Sequence, residues 1–452
     1  MCSVVQGWIQ RHLSSSGADL HLEGQSVVAV ARARQGSGDE AMVLVTPFGE
    51  DGGQVAPTSL TLSLGLTLFL LLHDSPWLSR DVIWVAAEGG EQAVAQWLHH
   101  YHHPSFTPTP FVRGGVLSTA MVFEIEGQWQ GGALDALMLK AEGRDGQMPN
   151  LDVLVTVDHL AASLGGLPTL SPHSLFPSML HQACGVGSGA HSPFREYQVD
   201  AITLQAVSRG GGVGLLESVE RVGRVLEGFF RSATNLSEKL HHSYFLYLLP
   251  APNRFVSIGM YIIPFLLLLL PLPLTLVALT SSPTSTSAHP VGLVGVVGGE
   301  TMCAALRVCA VHVWAATLAA APPLLSRAVG GGWVAWVVWG MGGAASLCCL
   351  PQTRGGEGRA VGSLTLITTG LSLGAICCYN YSLALPAAML LVPLVVTTHS
   401  PSSPMPAMAM QATILTLGVA GVEVLQRQGG VPHPYLLCAC LPSLVLCCSG
   451  KK

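Results

Sequence analysis

The chain has 452 residues, 50% of them hydrophobic and 10% charged, with mean hydropathy +0.49 and a formal net charge of −5. That length accommodates two domains, and a near-neutral charge without a Lys/Arg-rich tract argues against a nucleic-acid partner. The averages describe neither half. Most charges precede Arg254, and only ten charged side chains follow it.

Residues 1–20 read as a short amphipathic helix with Val5, Trp8, Ile9 and Leu13 on one face, and they contain no signal peptide. Next come short β-branched or apolar runs bounded by turn residues: Ala41–Thr46, Asp81–Ala87, Met121–Ile125 and Leu151–Val157. Each is expected to be a strand. Between the first two, Leu60–Leu72 (LTLSLGLTLFLLL) offers roughly thirteen apolar-rich residues, where a membrane span needs about twenty. It is therefore expected to be a core helix. Glu91–His100 predicts another helix, and strands alternating with helices indicate an α/β sheet covered on its faces.

The tract His99, His100, Tyr101, His102, His103 has a metal-binding composition, yet it ends a helix just before Pro104. Histidines suit a helix C-terminus, and adjacent side chains diverge, so a surface face is expected rather than a shared ion. Gly210–Gly214 reads as a hinge. From Leu215 to Tyr244, apolar residues recur at steps of four and three with charges between them, predicting a long amphipathic helix. It packs either on its own domain or on a partner subunit.

From Phe255 the chain becomes compatible with hydrocarbon. Seven candidate spans fall at about 255–279, 297–321, 328–350, 361–379, 382–398, 407–425 and 434–449. Pro264, Pro271 and Pro273 interrupt the first. Ten of the twelve cysteines lie in this half, in apolar runs without a C-x-x-C pair, where they behave as small hydrophobes. With the head on the lumenal side, Arg354, Arg359 and Lys451–Lys452 become cytoplasmic, a weak positive-inside bias. The sequons at Asn235 and Asn380 then both face the lumen. Glu300, Arg307 and Glu423 lie in or near spans, either paired across helices or at interfaces. The organisation expected is a head over 1–210, a connecting amphipathic helix in 211–250, and a membrane domain over 251–452.

The segments GQMPNLDVL (146–154), FREYQVDAITL (194–204) and YFLYLLPAPNRFVSIGMYIIP (244–264) closely resemble the glycosylphosphatidylinositol (GPI) anchor attachment family, a subunit of the GPI transamidase. The resemblance is collinear over nearly the whole chain. It implies a lumenal α/β domain resembling di-zinc aminopeptidases, a mixed sheet with helices on both faces, joined to a C-terminal multi-span α-helical membrane domain. It also implies that the chain starts inside the lumenal domain, without the family's N-terminal span. The implied role is a non-catalytic organiser in the endoplasmic reticulum membrane. Its implied partners are the other transamidase subunits, including a caspase-like catalytic one, together with the GPI lipid and the proprotein's C-terminal signal. A membrane-anchored metallo-aminopeptidase is the alternative, and a transporter with a soluble appendage is disfavoured by the lack of an internal repeat.

A di-zinc peptidase needs histidine and carboxylate ligands at the carboxyl ends of strands. By that resemblance Asp51, Glu88 and Glu124 occupy acidic ligand positions. Phe48 and Gly90 cannot bind metal, and Tyr197, with His191 upstream, stands where a last histidine belongs. Three carboxylates without imidazole suit a hard cation better than zinc. The readings left open are strand-end acids without metal, a single bound ion, or a working dinuclear centre. No cofactor is expected, and no aminopeptidase activity. Tyr379, Asn380 and Tyr381 are expected at a lumenal membrane edge as GPI head-group contacts.

Overall fold

The computed structural model describes residues 2–14, 17–23, 26–51, 54–55, 58–103, 113–126, 132–210, 214–235, 246–281, 302–313 and 356–399. The chain divides into two compact units, Met1–Ser257 and Ile258–Lys452.

An eight-stranded mixed sheet organises the first unit. Its strands are β1 (Asp19–Glu23), β2 (Ser26–Ala31), β3 (Glu40–Phe48), β6 (Asp81–Glu88), β7 (Val116–Ile125), β8 (Ala136–Lys140), β9 (Thr169–Leu170) and β10 (Asp200–Val207). They lie in the order β1-β2-β6-β3-β7-β10-β8-β9. The inner strands β6, β3, β7 and β10 run parallel, while β2 and β8 are antiparallel to their inner neighbours. Inner strands covered on both faces need apolar residues at nearly every position. β3 meets this with Ala41–Val45 fully buried.

Alternation along β3 sends Met42, Leu44 and Phe48 into one core cluster and Ala41, Val43 and Val45 into another. The first cluster lies under α1 (Cys2–Leu13), α2 (Thr58–Asp74), α4 (Leu151–Leu160) and α6 (Leu215–Asn235). The second lies under α3 (Gly90–His102) and the 3-10 segment Ser192–Tyr197. The fold class read from the sequence, a mixed sheet with helices on both faces, is the one observed.

The apolar run Leu60–Leu72 lies within α2, with Phe69 and Leu72 completely buried against the sheet. α6 packs on its own unit through Val222, Val225, Leu226, Phe229 and Phe230. One expected strand is wrong. Leu151–Val157 forms helix α4, because Asn150 precedes it as a cap whose side chain accepts the Asp152 N–H at 3.1 Å. Its buried residues Leu151, Val153, Leu154 and Val157 fall on one helical face, which the β-branched composition disguised.

The first unit ends in the hairpin β11 (Tyr247–Ala251) and β12 (Arg254–Ser257). Among the described residues of the second unit, three helices are long and apolar enough to cross a membrane: Ile258–Ser281, Arg359–Tyr379 and Tyr381–Thr398. The first is divided at Leu270 into Ile258–Leu269 and Pro271–Ser281, since Pro271 cannot donate the next helical hydrogen bond. A shorter apolar helix covers Met302–Val313 and packs on Val361. The candidate spans at 328–350, 407–425 and 434–449 lie outside the described residues, as do Glu300 and Glu423.

Candidate functional site

β3 connects through α2 to β6 on one side, and the chain then crosses to β7 on the other side of β3. Such a reversal makes the carboxyl ends of the parallel strands the usual place for a site in such a sheet. The acidic positions read from the sequence border this edge.

Glu88 and Glu124 do not converge. Glu88 ends β6 opposite Phe48, and it continues the alternation of Val82, Trp84 and Ala86 toward the α2 face. Its backbone N–H reaches Ser26 Oγ at 3.4 Å, and its Oε2 is buried without a hydrogen-bond partner among the described residues. Gly49, with φ +93, turns the chain beside it, and a Cβ there would touch Glu88 Cγ at 3.4 Å. Glu124 instead continues Ala120 and Val122 toward the α3 face, where Lys140 Nζ lies 3.4 Å from its Oε2. Asp51 lies in the two-residue strand β4 (Glu50–Asp51), in register with Gln54 of β5 (Gln54–Val55). Nothing is described of its side chain.

Tyr197 lies on the α3 side and stacks nearly flat on His102, with ring centroids 4.2 Å apart and planes 7° from parallel. Partial burial raises its hydroxyl pKa, helped by the neighbouring Glu196 charge. Arg144 joins the 3-10 segment to α3 by holding Glu91 at 2.8 Å and also bonding Glu196. Cations therefore already neutralise acids at this edge: Lys140 on Glu124, and Arg144 on Glu91 and Glu196. Among the described residues, no three His, Cys, Asp or Glu side chains are grouped to hold a metal. Glu88 and Glu124 face opposite sides of the sheet, so these residues do not fit a dinuclear zinc centre.

Of a buried polar cluster behind this edge the sequence marked only His191, because the members come from distant segments. Glu142 is 5% exposed, and its Oε1 accepts a hydrogen bond from Ser178 Oγ at 2.9 Å. His191 is 2% exposed, and its Nδ1 lies 2.7 Å from Thr203 Oγ1. Burial pushes the His191 pKa down to about 4, outweighing the attraction of Glu142, so the ring is neutral at pH 7. Among the described residues, Glu142 Oε2 and His191 Nε2 have no partner at hydrogen-bond geometry. A cavity lined by Gln147, His191, Arg195 and Val199, among others, has about 10 Å³ of room, about that of one water.

A profile described as Gaa1-like, GPI transamidase component, matches residues 23–426. The chain belongs to this family. It is 28% identical over 258 residues to the GPI transamidase component GAA1 of Saccharomyces cerevisiae, covering 53% of this chain and 39% of that protein. It is 27% identical over 266 residues to gaa1 of Schizosaccharomyces pombe, covering 54% and 44%. The chain thus matches about two fifths of the length of these curated relatives. Solved structures similar to it include a zinc aminopeptidase from Bacillus subtilis (14% identity, 46% of this chain and 48% of that one, TM-score 0.28). An aminopeptidase from Aneurinibacillus sp. strain AM-1 gives 10% identity, 46% of each chain and a TM-score of 0.28.

The remaining sequence-predicted residues lie in the second unit or at the end of α6. Tyr381 stacks on Tyr261, with centroids 4.1 Å apart, and meets Phe265 edge-on. Asn380 is 3% exposed, and its Oδ1 accepts the Leu383 N–H at 3.1 Å, capping the helix that follows. The Asn380 side chain is thus enclosed and engaged at this turn. Tyr379 is half-buried at the end of the preceding helix. Asn235, the last residue of α6, is exposed.

Proposed function

We propose that this chain is a non-catalytic subunit of the GPI transamidase in the endoplasmic reticulum membrane. Its head, on the lumenal side, organises partner subunits and receives the proprotein signal, while its spans present the GPI lipid. The catalytic cysteine belongs to a separate caspase-like subunit. The observation that carries this reading is the family match over residues 23–426, which extends through both compact units. The pairing of Glu124 with Lys140 supports a head that does not act as a hydrolase.

Affinity purification of the tagged chain from membranes tests it. The expected eluate contains the other transamidase subunits, including the caspase-like one, and GPI lipid. Elution of the chain alone, or with aminopeptidase turnover lost on Glu88→Gln, overturns the reading. The turn Tyr379–Tyr381 is the proposed head-group contact. Replacing all three residues with Ala should lower the GPI retained, and unchanged retention discards that contact.

A lumenal head also makes a simpler prediction. Asn235, exposed and followed by Leu236 and Ser237, should carry an N-glycan. Endoglycosidase treatment should then increase gel mobility, and Asn235→Gln should abolish that change. A band insensitive to the enzyme before mutation speaks for a cytosolic head.

A further inference from the structure

The histidine tract at the end of α3 carries a site that its composition alone did not define. The adjacent His99 and His100 rings meet only edge-on at 6.0 Å, whereas His99 and His103 are four residues apart and share a face. Their ring centroids lie 5.0 Å apart at 45°. The backbone fixes this spacing, because the His103 N–H donates to the His99 carbonyl at 2.8 Å and closes the last turn. We propose that His99 and His103 form a two-imidazole site for one divalent late first-row transition metal ion, Zn2+ or Cu2+.

Three observations converge on it. First, a metal–nitrogen bond of about 2.0–2.1 Å places two imidazoles bound side by side on one ion with centroids roughly 5 Å apart, the separation observed here. Second, the ligands stand at the carbonyl end of a thirteen-residue helix, where the backbone dipole favours a cation. Third, both side chains are exposed, so water can fill the remaining coordination positions. Imidazole nitrogen selects zinc and copper over magnesium or calcium. His102 is not part of the set, since its ring lies flat on Tyr197 at 4.2 Å, whereas His103 meets that tyrosine only at 6.4 Å and tilted by 56°. The site is also separate from the strand-end carboxylates, none of which it uses.

The test uses the full chain without a histidine tag, in detergent, titrated with Zn2+ against a chromogenic chelator. His99→Ala and His103→Ala should each weaken the tightest Zn2+ equivalent at least tenfold. The double substitution should do little more, because one imidazole alone is a poor site. His100→Ala and His102→Ala should leave that equivalent within about twofold. Cu2+ loaded at one equivalent should show coupling to two imidazole nitrogens in the electron spin resonance spectrum, and to one fewer in either single variant. Matching thermal midpoints without metal would show that the exposed substitutions leave the fold intact, and added Zn2+ should raise the midpoint only while both histidines are present. Unchanged Zn2+ binding by the double variant overturns the proposal. Equal losses from all four single variants overturn it too, since they would mean diffuse binding along the tract.

Discussion

Trp84→Ala should destabilise the first unit by about 3–5 kcal/mol, the range for deleting a large aromatic from a packed core. Trp84 is fully buried at the middle of β6, under α2, with Phe69 stacked on it at a centroid distance of 5.9 Å. Its Nε1–H donates to Thr46 Oγ1 on the neighbouring strand at 2.8 Å. The helix approaches closely there because residue 65 is glycine. A Cβ on Gly65 would lie 2.4 Å from Thr46 Cγ2 and 3.0 Å from Trp84 Nε1. Backbone packed this tightly cannot collapse readily into the space an indole leaves, so the cavity persists. Trp84→Phe keeps most of the volume and loses the Thr46 bond, and should cost less, roughly 1–2 kcal/mol. Amide hydrogen exchange in β3 and β6 provides the measurement. Loss of less than about 1 kcal/mol of protection in the alanine variant would mean that this contact does not hold the sheet to α2.

The same packing explains what the sequence disclosed. β3, β6 and the buried half of β7 were legible because strands covered on both faces are short, apolar and bounded by turns. α2 was legible as a core helix because its apolar run is too short to cross a bilayer. α4 was misread because a helix rich in Val and Thr looks like a strand, and its start depends on the single cap at Asn150. β2 and β10 went unassigned, although both are as buried as β3.

At the candidate site, residue type was legible and direction was not. The sequence places Glu88 and Glu124 at strand ends. Only the register shows that β6 presents Glu88 to one face and β7 presents Glu124 to the other. Lys140, the partner of Glu124, comes from a strand two positions across the sheet, so no local pattern pairs them. The i, i+4 spacing of His99 and His103 is present in the sequence, but only the closed last turn of α3 brings their rings to 5.0 Å.

His191 should make the first unit acid-sensitive. A histidine exposed in the unfolded chain titrates near pH 6.5, whereas burial holds this one at about 4 in the fold. Between those values the unfolded state binds the extra proton, so stability rises with pH across that window. The contribution is fully present above about pH 6.5 and is lost progressively as the pH falls toward 4. Roughly 2 kcal/mol should disappear between pH 7 and pH 5. Glu142 attracts the protonated ring and Lys140 opposes it, while His181 and His102, whose pKa values burial also lowers, add to the loss in the same direction. His191→Gln removes the titrating group and preserves a hydrogen-bonding side chain for Thr203. The comparison is therefore between slopes rather than absolute stabilities: exchange protection of β10 amides at pH 7 and pH 5, in the parent and in the variant. The parent should lose clearly more protection on acidification than His191→Gln. Equal losses in both would show that His191 accepts its proton without opening the structure around Thr203.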